Sequence, residues 1–271
     1  MQRKRETLVV VRGGGDIATG TIQKLWNSGF GLVILETDRP TAIRRKVALS
    51  QAVYEGTATV EDLTAARIES TDEIEKEWEK GRIPLLVDSE CRCLEDLKPL
   101  ALVDAILAKK NLGTHRKMAK YILALGPGFT AGADVDLVIE TMRGHSLGRI
   151  IREGSAMPNT GVPGIIAGYG KERVVHAPAD GTLHILHDIG DSVEKGEPLG
   201  LIGEVKVPSP LSGLLRGILP DGFAVTKGLK MADVDPRLSE YANCFTISDK
   251  ARCIGGGVLE GLLSLMREGE A

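Results

Sequence analysis

The chain has 271 residues, 33 of them glycine, with 4% aromatic residues and a formal net charge of −3. That length buries a full core in one large domain or two smaller ones, and the balanced charge excludes a global field for nucleic acid or an anionic membrane. Scarce aromatics exclude a stacking platform for single strands, four cysteines fall short of a disulfide scaffold, and no run approaches the ~20 apolar residues of a membrane span.

The basic first residues, 1–7, lead straight into a strand and lack the apolar core and cleavage site of a signal peptide, so a cytoplasmic location is expected. Leu8 to Val11 is a β-branched strand run ending in Arg12-Gly13-Gly14-Gly15-Asp16. An amphipathic segment with Ile17, Ile22, Leu25 and Trp26 on one face stops at Asn27-Ser28-Gly29, and Leu32 to Leu35 is a second buried run closed by Glu36. Strand, glycine turn, helix and strand make a βαβ unit. The turn fits G-x-G-x-x-A at Gly13, Gly15 and Ala18, with the acid Glu36 about 20 residues on. Those are the conditions for a dinucleotide fingerprint, in which glycine admits the pyrophosphate and the acid takes the ribose hydroxyls. Asp16 sits where the pyrophosphate would lie and repels it unless it points away or holds a cation. A structural turn without ligand is the competing reading.

Ala42 to Val53 reads as a helix whose Arg44, Arg45 and Lys46 form either an anion clamp or a solvated face. Asp72 to Lys80 is a charged helix, Ile83 to Val87 a strand, Leu100 to Ala108 strand-like or helical, and Tyr121 to Leu125 a strand. This alternation implies a parallel sheet covered on both faces. Cys91 and Cys93 lack redox C-x-x-C spacing and read as reduced bystander thiols rather than metal ligands. Lys109, Lys110, Asn111 and Thr114 form a polar cluster after an apolar run, where ligands of such folds bind. From Leu125 to Ile151 the chain packs Gly126, Gly128, Asp134, Asp136, Glu140, Arg143, His145 and Arg149 closely together. This is a binding surface with Arg143 as the anion contact, or else a Gly-rich crossover. His145 is a weak catalytic candidate: it lacks an adjacent nucleophile or metal partner, which favours a binding role. No Ser-His-Asp order, H-E-x-x-H or P-loop is present, and no metal site is expected.

After Gly170 the chain turns to short strands with a repeat of period 32. Pro178-Ala-Asp-Gly181 matches Pro210-Leu-Ser-Gly213, and Gly190 to Gly196 matches Gly222 to Gly228. Two such copies make a barrel-sandwich of the lipoyl/biotinyl kind. Lys206 stands only four residues before Pro210, too few for the returning strand of a carrier hairpin, so neither lipoyl nor biotin is expected. His176, His184 and His187 read as surface residues of this module. Beyond Pro236 the chain becomes helical again, with Gly255-Gly256-Gly257 opening an apolar helix from Val258 to Met266. The expected fold is α/β: a Rossmann-like parallel sheet (1–170), an inserted all-β barrel-sandwich module (171–234), and a C-terminal segment (235–271) whose helix returns to the first domain.

Several long motifs carry a resemblance. They are Gly13-Gly-Gly-Asp16-Ile-Ala-Thr-Gly20, Ala42-Ile-Arg-Arg45 with Ala52-Val-Tyr54, Val103 to Thr114, Leu125-Gly-Pro-Gly-Phe-Thr-Ala-Gly132, Ile139 to His145, Asn159-Thr-Gly161, Ile247-Ser-Asp-Lys250 and Gly255 to Glu260. Over nearly its whole length the chain resembles the YqeB family of selenium-dependent molybdenum hydroxylase accessory proteins. Its N-terminal part is similar to the Rossmann portion of the XdhC/CoxI chaperones, which handle molybdenum cofactor. The resemblance implies a cytoplasmic accessory protein that binds a nucleotide-bearing ligand, molybdenum cofactor or its dinucleotide form, with a hydroxylase or another maturation protein as partner. Gly13, Gly15 and Asp16 would line the phosphate turn and Glu36 the ribose. Lys110, Asn111, Gly126, Gly128, Asp134, Arg143 and His145 would surround the pterin or metal end. Cys91 and Cys93 do not belong to the family pattern. The alternatives are an NAD(P)-dependent oxidoreductase with His145 as acid, and a scaffold without catalysis whose β module docks a maturation partner. Whether the chain is an enzyme stays open.

Overall fold

A computed structural model describes residues 3–161 and 164–270; Met1 and Gln2 of the basic start, with Val162, Pro163 and Ala271, lie outside the described residues. The chain divides into two compact units, one of residues 1–40, 48–159 and 247–271, the other of residues 41–47 and 160–246. No helix among the described residues is long and apolar enough to cross a membrane.

The first unit is built on strands β1 (Leu8–Arg12), β2 (Gly31–Glu36), β3 (Thr57–Val60), β4 (Leu63–Ile68), β5 (Ile83–Val87), β6 (Ala101–Asp104), β7 (Tyr121–Leu125), β8 (Leu137–Ile139) and β9 (Ile150–Ile151). They form one nine-stranded sheet in the order β3-β4-β5-β2-β1-β6-β7-β8-β9. From β4 to β8 neighbouring strands are parallel, whereas β3 and β9 pair antiparallel at the two edges. The Val, Leu and Ile side chains of β1 and β2 are buried along their length, the signature of strands covered on both faces.

Helices are few. α1 (Asp16–Asn27) joins β1 to β2, while α2 (Ala52–Glu55), α3 (Ile74–Glu79) and α4 (Leu94–Leu97) are short pieces. α5 (Asp249–Glu268) is the long C-terminal helix and packs on α1, β7 and β8. A Cβ on Gly20 would lie 2.4 Å from the Ala251 carbonyl oxygen, and one on Gly255 would lie 2.5 Å from the Gly20 carbonyl oxygen. The two helices therefore pack backbone against backbone at Gly20.

In the second unit, β10 (Val174–His176), β11 (Gly181–Ile185), β12 (Ser192–Val193), β13 (Pro198–Ile202), β14 (Val205–Pro208), β15 (Gly213–Ile218), β16 (Ala224–Val225) and β17 (Lys230–Asp235) form two four-stranded antiparallel sheets. Their orders are β10-β17-β15-β12 and β14-β13-β11-β16. The 32-residue repeat exchanges the sheets: β11 corresponds to β15, β12 to β16 and β13 to β17. One apolar core, including Leu183, Leu199, Leu215, Ile218 and Met231, fills the unit. Residues 41–47 belong to it: the Ile43 carbonyl accepts from the Ile218 N–H at 2.8 Å, and the buried Arg45 donates to the Ile218 carbonyl at 3.1 Å and pairs with Asp188.

Three expectations are corrected. The fold is not a Rossmann-like parallel sheet with a barrel-sandwich insert: the sheet is mixed, the β3–β4 hairpin, which follows β2 in the chain, is added at the edge beyond β5, and most connections lack a crossover helix of useful length. Ala42 to Val53 is not one helix but two 3₁₀ turns and the short α2, because tertiary partners take its backbone. Besides Ile43, Ser50 donates its N–H to the Gly14 carbonyl at 2.8 Å and Leu49 to the Thr19 hydroxyl at 3.1 Å. Finally, the C-terminal helix starts at Asp249 and runs through the three glycines, of which Gly255 and Gly257 lie on its contact face rather than in a turn before it.

Candidate functional site

Parallel β1, β2, β5, β6, β7 and β8 deliver their carboxyl ends, and the loops that follow, to one edge of the sheet. Ligands of open α/β sheets bind at such an edge. Gly13 donates its N–H to the Leu35 carbonyl at 2.8 Å, which closes the glycine turn against β2. Gly15 precedes α1 and offers no side chain to cap it, and nothing lies within 4 Å of where its Cβ would be. The first N–H groups of α1, which begins at Asp16, thus have no side-chain cap from Gly15.

Glu36 is not placed for a ribose. One of its carboxylate oxygens accepts from the Gly14 N–H at 2.8 Å and the other from the Thr37 N–H at 2.9 Å. Burial pushes its carboxyl above the ordinary range, against the pull of those two bonds. The acid closes the glycine turn instead of reading a ligand beyond it, which corrects the dinucleotide fingerprint and with it the nucleotide-binding expectation.

Arg12 ends β1 and Asp104 ends β6, at 7% and 2% exposure, with Arg12 Nη1 3.5 Å from Asp104 Oδ2. Thr114 Oγ1 lies between them, donating to Asp104 Oδ2 at 2.6 Å and accepting from Arg12 Nη1 at 3.0 Å. Arg12 Nη2 donates to the Ser89 carbonyl at 2.9 Å. Burial raises the Asp104 carboxyl although Thr114, the Ile106 N–H and Arg12 all favour its charge. Asn111 holds this arrangement: its Oδ1 accepts from the Gly113 and Thr114 N–H groups at 2.9 and 2.8 Å, and its Nδ2 donates to the Thr114 carbonyl. Lys110 is exposed, with its backbone against Gly128.

Gly126 and Gly128 serve contacts of chain with chain. At φ +75° and +112° both adopt backbone that disfavours a Cβ. A Cβ would meet Thr141 Oγ1 at 2.5 Å from Gly126 and the Lys110 backbone at 2.7 Å from Gly128. Asp134 accepts from the Thr130 N–H at 2.9 Å and closes its own loop. Buried Glu140 accepts from the Thr141 and Met142 N–H groups at 2.7 Å and from the Met157 N–H at 2.8 Å. Arg143 is exposed and pairs with Asp249 at 3.2 Å, and His145 is exposed.

Lys250, in the first turn of α5, joins these pieces. It is half-buried. Burial, then the Arg143 charge, lowers its pKa, while Asp16, Glu140 and Asp249 act in the opposite direction. The glycine turn and the Glu140–Arg143 loop thus meet at one desolvated cation. Among the described residues no three of His, Cys, Asp and Glu are grouped as a metal site. Arg12, Asp104 and Lys250 were not singled out from the sequence as site residues. The signal for Arg12 and Asp104 was a charged residue closing an apolar strand run. Lys250 had none, because its neighbours come from three distant segments.

No family model matches the chain. It is 52% identical over 262 residues to an uncharacterized protein YqeB of Escherichia coli (strain K12), a match that covers 97% of this chain and 48% of that protein. The chain thus spans about half the length of the curated relative it matches. Among solved structures it is similar to the product-bound ectoine utilization protein EutE (DoeB) from Ruegeria pomeroyi, with 12% identity, a TM-score of 0.25, and coverage of 84% of this chain and 85% of that one. A succinylglutamate desuccinylase/aspartoacylase from Rhodobacter sphaeroides gives 12% identity, a TM-score of 0.28, and coverage of 88% and 87%. At those TM-scores the likenesses carry no fold or activity across. Neither lends support to the expectation of a molybdenum cofactor chaperone or of a nucleotide-binding Rossmann protein.

Proposed function

We propose that the chain is an accessory protein in the maturation of selenium-dependent molybdenum hydroxylases, and that its part is to hold a small oxyanion beside Gly15, Lys250 and Arg143. The accessory role rests on the resemblance of the long motifs, among them residues 13–20, 125–132 and 247–250. The oxyanion rests on one observation: a half-buried lysine whose pKa burial lowers, with the Arg143 charge acting in the same direction. Burying a cation is costly unless it is paired; Asp16, Glu140 and Asp249 offset part of that cost, and a bound anion adds to them. The uncapped start of α1 and the open space at Gly15 add backbone donors and room.

Isothermal titration with inorganic phosphate, molybdate and selenite tests this on the purified chain. At least one is expected to bind. Gly15→Asp is expected to abolish binding while raising thermal stability slightly, because a carboxylate at this N-cap position takes the α1 N–H groups for itself and contributes roughly 0.3 kcal/mol over glycine. Absence of heat from all three anions would overturn the reading, as would undiminished binding in Gly15→Asp.

A further inference from the structure

Cys91 and Cys93 lie in the turn after β5, at 5% and 9% exposure. Asp88 builds that turn: its carbonyl accepts from the Cys91 N–H at 3.2 Å, and its carboxylate accepts from the Cys93 N–H at 2.9 Å. The two thiols are within electrostatic reach of one another, and the Cys93 thiol bonds the Asp88 carboxylate. Cys91 has φ +57°, left-handed backbone that a residue with a Cβ adopts only at a cost. The turn is tied to β1 through the Arg12–Ser89 bond, and the same guanidinium faces Cys91 with its buried Nε unpartnered.

We propose that Cys91 and Cys93 form a redox-responsive dithiol, closed to a disulfide by small disulfides and coupled through Ser89 to Arg12. In the closed turn the pair is unreactive, since burial pushes the Cys91 thiol up to about 11 and the Cys93 thiol higher still. Opening relieves the left-handed backbone and restores water, which removes the burial that chiefly holds the Cys91 thiol protonated. The Cys91 thiolate attacks one sulfur of oxidised glutathione, whose S–S bond breaks; the departing glutathione thiolate takes up the proton. The Cys93 thiolate next attacks the Cys91 sulfur of the mixed disulfide and expels the second glutathione. Two protein thiols are oxidised, and one small disulfide is reduced to two thiols. This proposal is independent of the oxyanion reading, and its readout is a mass.

The test equilibrates the full chain, wild type and Cys253→Ser, with graded mixtures of reduced and oxidised glutathione, followed by intact mass and peptide mapping. Cys253 is the exposed thiol, and its removal prevents exchange from that site. The expected product is two hydrogens lighter, with the new bond on the peptide carrying both cysteines, faster amide exchange over residues 89–94, and reversal by excess thiol. Cys93→Ser should instead accumulate a glutathione adduct at Cys91. Adducts alone in the wild type, or closure only after denaturation, would overturn the proposal.

Discussion

At the scale of single residues, the densest chemistry in the first unit is the Arg12–Thr114–Asp104 set. A buried cation stripped of its counter-charge is worth far more than a surface pair, so Asp104→Ala is expected to cost about 3–5 kcal/mol of unfolding free energy. Thr114→Val, which removes one hydroxyl shared by both charges, should cost about 1–3 kcal/mol. Urea unfolding of the two single variants and the double variant measures this. The double should cost less than the sum, because both changes break one network. A loss below about 1 kcal/mol in Asp104→Ala would mean that Arg12 does not depend on that carboxylate. Lys250 behaves in the opposite way. Its pKa is depressed, so the folded chain binds this proton less tightly than the unfolded chain, and the charged form is carried at a cost to stability. Lys250→Met is expected to raise the melting temperature at pH 7 and to weaken oxyanion binding roughly tenfold or more, the loss of a charge-assisted bond. A variant that binds as before would remove Lys250 from the site.

At the scale of elements, the α1–α5 contact is set by glycine. Gly255→Ala places a methyl 2.5 Å from the Gly20 carbonyl oxygen. Two backbones must then separate, at an expected cost of about 1–3 kcal/mol. The next residue is its control. Nothing lies within 4 Å of a Cβ on Gly256, so Gly256→Ala should stabilise the helix by roughly 0.5–1 kcal/mol. Thermal unfolding of the pair reads a difference of sign, and two destabilised variants would refute the helix packing. This contact also shows where the sequence was legible and where it was not. β1, α1, β2, β5 and β7 announced themselves by apolar period and bounding glycines, and the repeat from Pro178 to Pro210 announced paired strands. The start of α5 was hidden because Gly255-Gly256-Gly257 reads locally as a turn. Only the neighbouring backbones of Gly20 and Gly148 explain glycine there. Residues 42–53 were hidden for a related reason: their hydrogen-bond partners, Ile218, Gly14 and Thr19, are remote in sequence. Of the residues of the proposed site, the sequence singled out Gly15 as part of a glycine turn and Arg143 as a cation. Glu36 was misjudged because the same spacing serves a carboxylate that turns inward to Gly14.

At the scale of the whole molecule, buried carboxyls of opposite sign make the response to pH a property that differs between units. Glu36 and Asp104 are raised by burial, so the folded chain holds their protons more tightly than the unfolded one. Their contribution is full below the ordinary carboxylate range and is lost as pH rises through the raised values. Asp235 in the second unit is the reverse case. Burial works against its charge, but hydrogen bonds from Arg237 and the charges of Arg216 and Arg237 outweigh it and hold the carboxyl below its usual value. Its contribution is present above that range and is lost as pH falls through the lowered value. Asp235→Asn is therefore expected to lower the melting temperature markedly at pH 7 and progressively less as pH falls through that lowered value. Glu36→Ala leaves the Gly14 and Thr37 N–H groups without an acceptor and should destabilise at every pH, but more at pH 4 than at pH 7, because the wild type gains from the raised carboxyl as it takes up its proton. Both tryptophans, Trp26 and Trp78, lie in the first unit. Their fluorescence therefore follows the Glu36 variant, while far-UV circular dichroism follows the Asp235 variant. The pH trends of the two variants should run in opposite directions. Parallel trends would show that one of the two carboxyls has the opposite shift from the one its surroundings dictate.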